Sequence, residues 1–267
     1  MADDPARAAL RRRTYDTGDL SALPVFAGGY INFGYWDGVP LDRDLTAEQR
    51  VASQEALYDV VLDALDVTGR RVLEVGSGRG VGARRVARRG VARLTGLDLM
   101  PQQVERARAA ARDERVAFAV GSASAMPFPA DAFDRLLSVE AAQHFEDLAG
   151  FAREAARVLA PGGRLAVTTF FAERDDAGPA LAELLETFAS GLDLAHPIGR
   201  FADDLRAAGF TGVRADRLGA HVWPGLDRWV AQVGGPYDWG RNWLVAADRG
   251  LLDYYLVTAR QPAAWGA

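Results

Sequence analysis

The chain has 267 residues, 49% of them hydrophobic and 25% charged, with a formal net charge of −5, the balance of a globular protein with one large domain or one domain plus an embedded cap. All 31 basic residues are arginine, and there is no lysine and no cysteine, which excludes Schiff-base and Walker-type lysines, thiolate nucleophiles, disulfides and cysteine-held zinc. Acid–base chemistry near neutral pH is left to carboxylates, tyrosines and three histidines, His144, His196 and His221.

Taken in chain order, the first strong periodicity predicts an amphipathic helix over 46–64, opened by Thr46 as N-cap with Gln49 three residues on. Strand and helix patterns then alternate: strand 72–75, helix 81–89, strand 92–97, helix 102–112, strands 116–120 and 133–139, helix 148–159 and strand 164–171. This βαβα rhythm predicts a parallel sheet with helices on both faces. Ligands of such sheets bind outside the carboxyl ends of the strands, so the loops there carry the candidate chemistry. The last third breaks the rhythm with a helical insertion over 178–190, a helix over 200–208 ending at Gly209, and a strand over 212–216. An insertion over 219–250, rich in tryptophan, tyrosine and glycine, precedes a closing strand at 253–260. The expected organisation is an N-terminal lid segment (1–45), a cofactor-binding core (46–171), and the end of the core sheet with substrate-cap insertions near 172–199 and 219–250 (172–267).

The acidic balance argues against nucleic acid as the main partner, because phosphate neutralisation needs a basic surface. The arginine clusters at 11–13 and 84–89 read as solvated helix faces. No apolar run reaches the roughly 20 residues of a membrane helix, and the start of the chain lacks the apolar core of a signal peptide. No membrane partner and a cytoplasmic location are therefore expected.

The most informative segment is Val72-Leu-Glu-Val-Gly-Ser-Gly-Arg-Gly80, a strand running directly into Gly76, Gly78 and Gly80. Glycines at such a turn let the backbone bend sharply and approach a ligand with no Cβ in the way. Glu74 stands two residues before the first glycine, and the next strand ends in Leu97-Asp98, 18 residues after Gly80. An acidic side chain there can accept both hydroxyls of a ribose. Gly78-Arg-Gly80-Val-Gly-Ala83 also fits the G-x-G-x-x-A variant of a nicotinamide site, but no second nucleotide-binding half follows. A tight strand-to-helix turn with no ligand is the plainest alternative.

Glu74-Val-Gly76-Ser77-Gly78-Arg-Gly80 and Asp98 resemble the first two motifs of class I S-adenosylmethionine-dependent methyltransferases. The segments 121–134 and 156–165 resemble later motifs of the branch that contains ubiquinone-biosynthesis enzymes. The aromatic run 28–37 and the closing strand resemble bacterial methyltransferases that tailor polyketides, macrolides and sugar-bearing natural products. The resemblance implies an α/β, Rossmann-like class I methyltransferase fold, with a mostly parallel seven-stranded sheet, helices on both faces and an added cap. It implies S-adenosyl-L-methionine as cofactor, S-adenosyl-L-homocysteine as product, and no metal. The adjacent Asp175 and Asp176 follow the fifth strand, where some members hold a divalent ion, but read as solvated loop acids.

By the same resemblance Gly76 to Gly80 pass under the methionine part of the cofactor, Asp98 holds the ribose, Leu99 packs on adenine and Gln103 contacts the cofactor. Ser122, where the family commonly carries aspartate, and the Ala123 backbone receive the adenine amino group, and Glu140 lies near the sulfonium. His144, in the loop after the fourth strand, is the candidate general base for an acceptor hydroxyl. Tyr30, Trp36, Phe171, His221, Trp223, Trp239 and Trp243 are the candidate contacts for a bulky apolar small-molecule acceptor, since aromatics combine large buried area with a polar handle. The expected reaction is O-methylation of a secondary metabolite. C- or N-methylation, or a cyclase keeping the cofactor as a structural element, stay open, as does the oligomeric state, monomer or homodimer.

Overall fold

The computed structural model describes residues 5–17 and 23–263; of the expected lid segment, 1–4 and 18–22 lie outside the described residues. Seven strands, β1 (Arg71–Val75), β2 (Arg93–Asp98), β3 (Val116–Val120), β4 (Phe133–Val139), β5 (Leu159–Ala172), β6 (Thr211–Arg217) and β7 (Leu252–Arg260), form one sheet in the order β3-β2-β1-β4-β5-β7-β6. Only β7 runs antiparallel, pairing β5 on one side and β6 on the other. The strand order reverses between β1 and β4, the switch point outside which ligands of open α/β sheets bind.

Helices α1 (Pro5–Arg11), α2 (Ala47–Leu65), α3 (Val81–Arg88), α4 (Pro101–Ala110), α5 (Leu148–Val158), α6 (Gly178–Leu184), α7 (Glu186–Ala189), α8 (Ile198–Ala207), α9 (Gly219–Val233) and α10 (Asn242–Asp248) complete the fold. The start of α2 carries the full capping box: Thr46 Oγ1 accepts from Gln49 N, and Gln49 Oε1 accepts from Thr46 N. In β1 every residue after Arg71 is buried, because helices cover both faces. Val72 packs with the α2–α3 side of the core and Leu73 with the α5–α8 side, so side-chain parity along a strand decides which layer each residue joins.

The insertion near 178–190 is two short helices, α6 and α7, and the aromatic-rich insertion is helical too. Helix α9 tolerates Pro224 within its early turns, and a short 3₁₀ stretch (Gly235–Arg241) leads into α10. Among the described residues no helix is long and apolar enough to cross a membrane.

Candidate active site

At the switch point lies a cavity of about 540 Å³, lined by the glycine loop, the ends of β2 and β4, the N-terminal segment and the cap. Gly76, with φ +79°, turns the chain out of β1, and a Cβ there would stand 2.2 Å from the Ala141 Cβ. Gly78 (φ +51°) has nothing within 4 Å of where its Cβ would stand, so the cavity floor here is bare backbone with open space above it. Asp98 ties the two loops together: Gly78 N donates to Oδ2 (2.8 Å) and Met100 N to Oδ1 (2.9 Å). A carboxylate accepts more than two hydrogen bonds, so this one can hold the loops and still take vicinal hydroxyls. Leu99, Gln103, Ser122 and Ala123 line the same end, and Ser122 Oγ meets Ser124 Oγ at 3.1 Å.

Two expected cofactor residues sit behind the cavity wall. Gly80 starts α3 with φ +75°, and a Cβ there would run into the Phe118 ring at 2.6 Å, so close packing against β3 is what requires this glycine. Glu74 is fully buried beneath the loop, where the Tyr58 hydroxyl donates to its Oε1 (3.0 Å), and burial pushes its carboxyl up to about 7.

Glu140, at the end of β4, lines the cavity with its backbone in the left-handed region, φ +45°. That costs a non-glycine residue about 1–3 kcal/mol and persists only where surroundings enforce it. Here Glu140 N donates to Thr168 O (2.8 Å), while Oε1 accepts from Phe33 N (2.6 Å) and the Tyr254 hydroxyl (2.8 Å). Phe33 O in turn accepts from Arg50 Nη1 (3.0 Å), a fully buried guanidinium that also bonds the carbonyls of Val25 and Asn32. Burial pulls the Arg50 guanidinium down to about 9 and pushes the Glu140 carboxyl up to about 7.

Four residues on, His144 lines the cavity. Its Nδ1 lies 2.9 Å from Leu192 O and 3.2 Å from Asp193 Oδ1. A carbonyl only accepts, so Nδ1 carries the proton and Nε2 of the neutral ring presents a lone pair, onto which the Tyr15 hydroxyl donates (2.8 Å). Arg11 bonds His144 O (2.6 Å) and Glu146 (3.1 Å), and the Gln103 side-chain amide donates to Tyr15 O. The N-terminal segment is thereby latched over the site. Tyr15, Arg11 and Asp193 stand outside any sequence motif; nothing in the local sequence marks them, since they meet His144 from 129, 133 and 49 positions away.

The aromatic candidates divide. Tyr30, Trp239 and Trp243 line the cavity; Trp239 is half exposed at its mouth. Phe171 faces the opposite layer, stacked on Phe201 at 5.2 Å, and its neighbour Phe170 takes the cavity position, 4.6 Å from the Trp243 ring. Trp223 is buried against Trp243 with its Nε1 donating to Asp253 (2.9 Å), and Trp36 is buried with Leu45 and Trp229 in a small core of the cap. His221 stands on the outside, half exposed, 3.3 Å from Asp37 and beside the Tyr35 ring. The aromatic surface of Trp36 and Trp223 goes into packing the cap. His196 is partly buried, with Nε2 donating to Phe145 O (2.8 Å), and desolvation pulls its imidazole down to about 4. Asp176 pairs with Arg174 on the surface. Among the described residues no three His, Cys, Asp or Glu side chains cluster as metal ligands.

A methyltransferase-domain family profile matches residues 73–167. The chain is 30% identical over 254 residues to 27-O-demethylrifamycin SV methyltransferase of Amycolatopsis mediterranei, covering 88% of this chain and 91% of that one. The chain belongs to the class I S-adenosylmethionine-dependent methyltransferases. It is also 33% identical to erythromycin 3''-O-methyltransferase of Saccharopolyspora erythraea, over 77% of this chain and 70% of that protein. Among solved structures, the [4+2]-cyclase SpnF superposes with a TM-score of 0.70 at 25% identity, over 88% of this chain and 89% of the other. The methyl donor of this methyltransferase is S-adenosyl-L-methionine. The site fits it: the open floor over Gly78 and the Asp98 carboxylate suit its backbone-contacting and ribose portions, and the acidic Glu140 suits its positive charge.

Proposed function

We propose that this methyltransferase transfers a methyl group to a hydroxyl of a bulky, predominantly apolar small molecule of the polyketide, macrolide or glycoside class, with His144 as general base. The observation that carries this reading is the His144 imidazole, whose Nδ1 is committed to Leu192 O and Asp193 while Nε2 faces the cavity with a hydroxyl, that of Tyr15, already on its lone pair. An alcohol that takes the place of the Tyr15 hydroxyl delivers its proton to Nε2 as its oxygen becomes nucleophilic. The bound donor supplies an electrophilic methyl group whose leaving group is a neutral thioether. Asp98, the glycine loop, Leu99, Gln103 and the Ser122–Ala123 turn hold it, and Asp193 compensates the imidazolium that forms. Apolar side chains (Phe33, Phe170, Leu226, Val230 and Trp243) shape the remainder of the cavity, which suits a large ring system better than a small polar acceptor. Relatives named as a 27-O-demethylrifamycin SV methyltransferase and an erythromycin 3''-O-methyltransferase support the same acceptor class.

The test is turnover with labelled donor against hydroxylated macrolactone and glycoside acceptors, with the methylated atom located by NMR. His144→Ala is expected to lower kcat by about 10²–10⁴ with donor affinity nearly unchanged by calorimetry. Unchanged turnover would remove His144 from the chemistry, and an acceptor isomerised with no homocysteine product formed would favour the cyclase reading.

A further inference from the structure

Five acidic groups line the cavity, Asp98, Glu140, Glu146, Asp147 and Asp193; Glu146 pairs with Arg11, and Asp147 accepts from Gly150 N. Asp98 is bound to backbone donors on both oxygens, and Asp193 faces His144. Glu140 differs. Both of its donors, Phe33 N and the Tyr254 hydroxyl, fall on Oε1; Oε2 takes no hydrogen bond from any described residue, yet it is not among the sealed, unpartnered polar atoms, so it borders the cavity. Its position is central. Glu140 adjoins Ala141, which touches the place where a Gly76 Cβ would stand, and it lies four residues before His144 on the same loop. A donor seated on the glycine loop would bring its sulfur, the atom that changes charge in the reaction, into the part of the cavity that this oxygen borders.

We propose that Glu140 is the residue by which the site distinguishes the charged methyl donor from its neutral product, its Oε2 ionised against the sulfonium and protonated against the thioether. The inference rests on the donor half of the reading above and needs neither the acceptor assignment nor His144. The carboxyl has the means to switch near neutral pH, because burial raises it to about 7 despite the two hydrogen bonds on Oε1 and the Arg50 guanidinium. The ionisable groups acting on it or sensing it are Arg50 from α2, Tyr254 from β7, Asp193 from the loop after α7, Tyr58 from α2 and Tyr15 from the N-terminal segment. The tyrosines are held protonated by burial, so none of them exchanges a proton in this range. When the donor binds, the carboxyl proton leaves to solvent. When the methyl group is transferred and the sulfur becomes neutral, the carboxylate regains a proton from solvent, and the attraction that held the donor is switched off for the product. The enforced left-handed backbone at Glu140 and the fixed Oε1 keep the free oxygen aimed while this happens.

The experiment is isothermal titration calorimetry of S-adenosylmethionine, S-adenosylhomocysteine and sinefungin, which carries an amine in place of the sulfonium, at pH 6 and pH 8, in two buffers of different ionisation enthalpy. A group titrating at about 7 and required ionised by the ligand gives a roughly tenfold gain in affinity from pH 6 to pH 8. That gain, with proton release, is expected for S-adenosylmethionine and sinefungin and to be below twofold for S-adenosylhomocysteine; the α-amino group, whose pKa the second positive charge lowers in the two cationic ligands, is titrated on each free ligand and its contribution subtracted. Glu140→Gln, which keeps an acceptor oxygen for Phe33 and Tyr254, is expected to flatten the pH response of the cationic ligands and to leave S-adenosylhomocysteine binding at its wild-type strength. An equal pH response for the product, or a variant that keeps the wild-type response, overturns the proposal. If Glu140→Gln does not fold, the wild-type comparison of proton release between donor and product decides. Failure of all three ligands to bind would instead strike the donor assignment itself.

Discussion

At Gly76 two requirements meet on one residue: a backbone at φ +79° and a space already filled by Ala141, 2.2 Å from where a Cβ would be. Gly76→Ala therefore adds left-handed strain and a clash at once, and is expected to cost about 2–4 kcal/mol in urea denaturation and to weaken donor binding with it. The cost arises from backbone geometry, so it should appear in the absence of any ligand. His196 makes a second prediction, about pH. Its folded pKa of about 4 lies below the 6.5 of an unfolded histidine, so between these values the unfolded chain binds the extra proton. The stability that the neutral ring contributes is present above pH 6.5 and is lost as pH falls through 4. The opposite-signed contributions of Glu74 and Glu140, raised to about 7, cancel in a comparison with His196→Gln, which retains a donor for Phe145 O. The stability of wild type relative to this variant is expected to fall by up to about 3 kcal/mol between pH 7 and pH 4, read by denaturation at each pH.

On the scale of an element, the end of β5 shows how a strand divides its work. Phe170 and Phe171 are both buried, but they point to opposite faces, one into the cavity against Phe33 and Trp243, the other onto Phe201 and Tyr255. Both alanine variants should lose stability, by about 3–5 kcal/mol for Phe171→Ala. Only Phe170→Ala should change the acceptor KM, because of the two rings only this one borders the cavity proposed to take the acceptor. Steady-state kinetics beside thermal melts separates the two effects. The period-2 rule makes this parity legible in principle, yet the sequence places Phe171 and Phe170 equally close to the loop, and the register against β4 and β7 decides which one faces in. The predicted helix at 46–64 was fully legible by contrast, since its cap lies within four residues of sequence and needs no distant partner.

Across the whole molecule, the site is closed by its two most distant parts, the N-terminal segment through Arg11 and Tyr15 and the cap through Trp239 and Trp243, over a floor built at the middle of the sheet. A donor bound there bridges elements that otherwise touch at few points, so it should stabilise the fold as a unit. At one hundred times its dissociation constant the donor is expected to add about 2.7 kcal/mol, which for a chain of this size raises Tm by roughly 5 °C. The sequence by itself determined the parallel-sheet architecture, because strand and helix periods are properties of neighbouring residues, and the donor followed from the resemblance of its glycine turn and strand-end carboxylate to class I methyltransferase motifs. Whether Trp36, Trp223 and His221 pack the cap or face the acceptor, and that Tyr15 and Asp193 meet at His144, were decided only by the tertiary structure. Aromatic residues satisfy a core and a pocket with the same chemistry, and contacts across 129 and 49 residues leave no local trace in the chain.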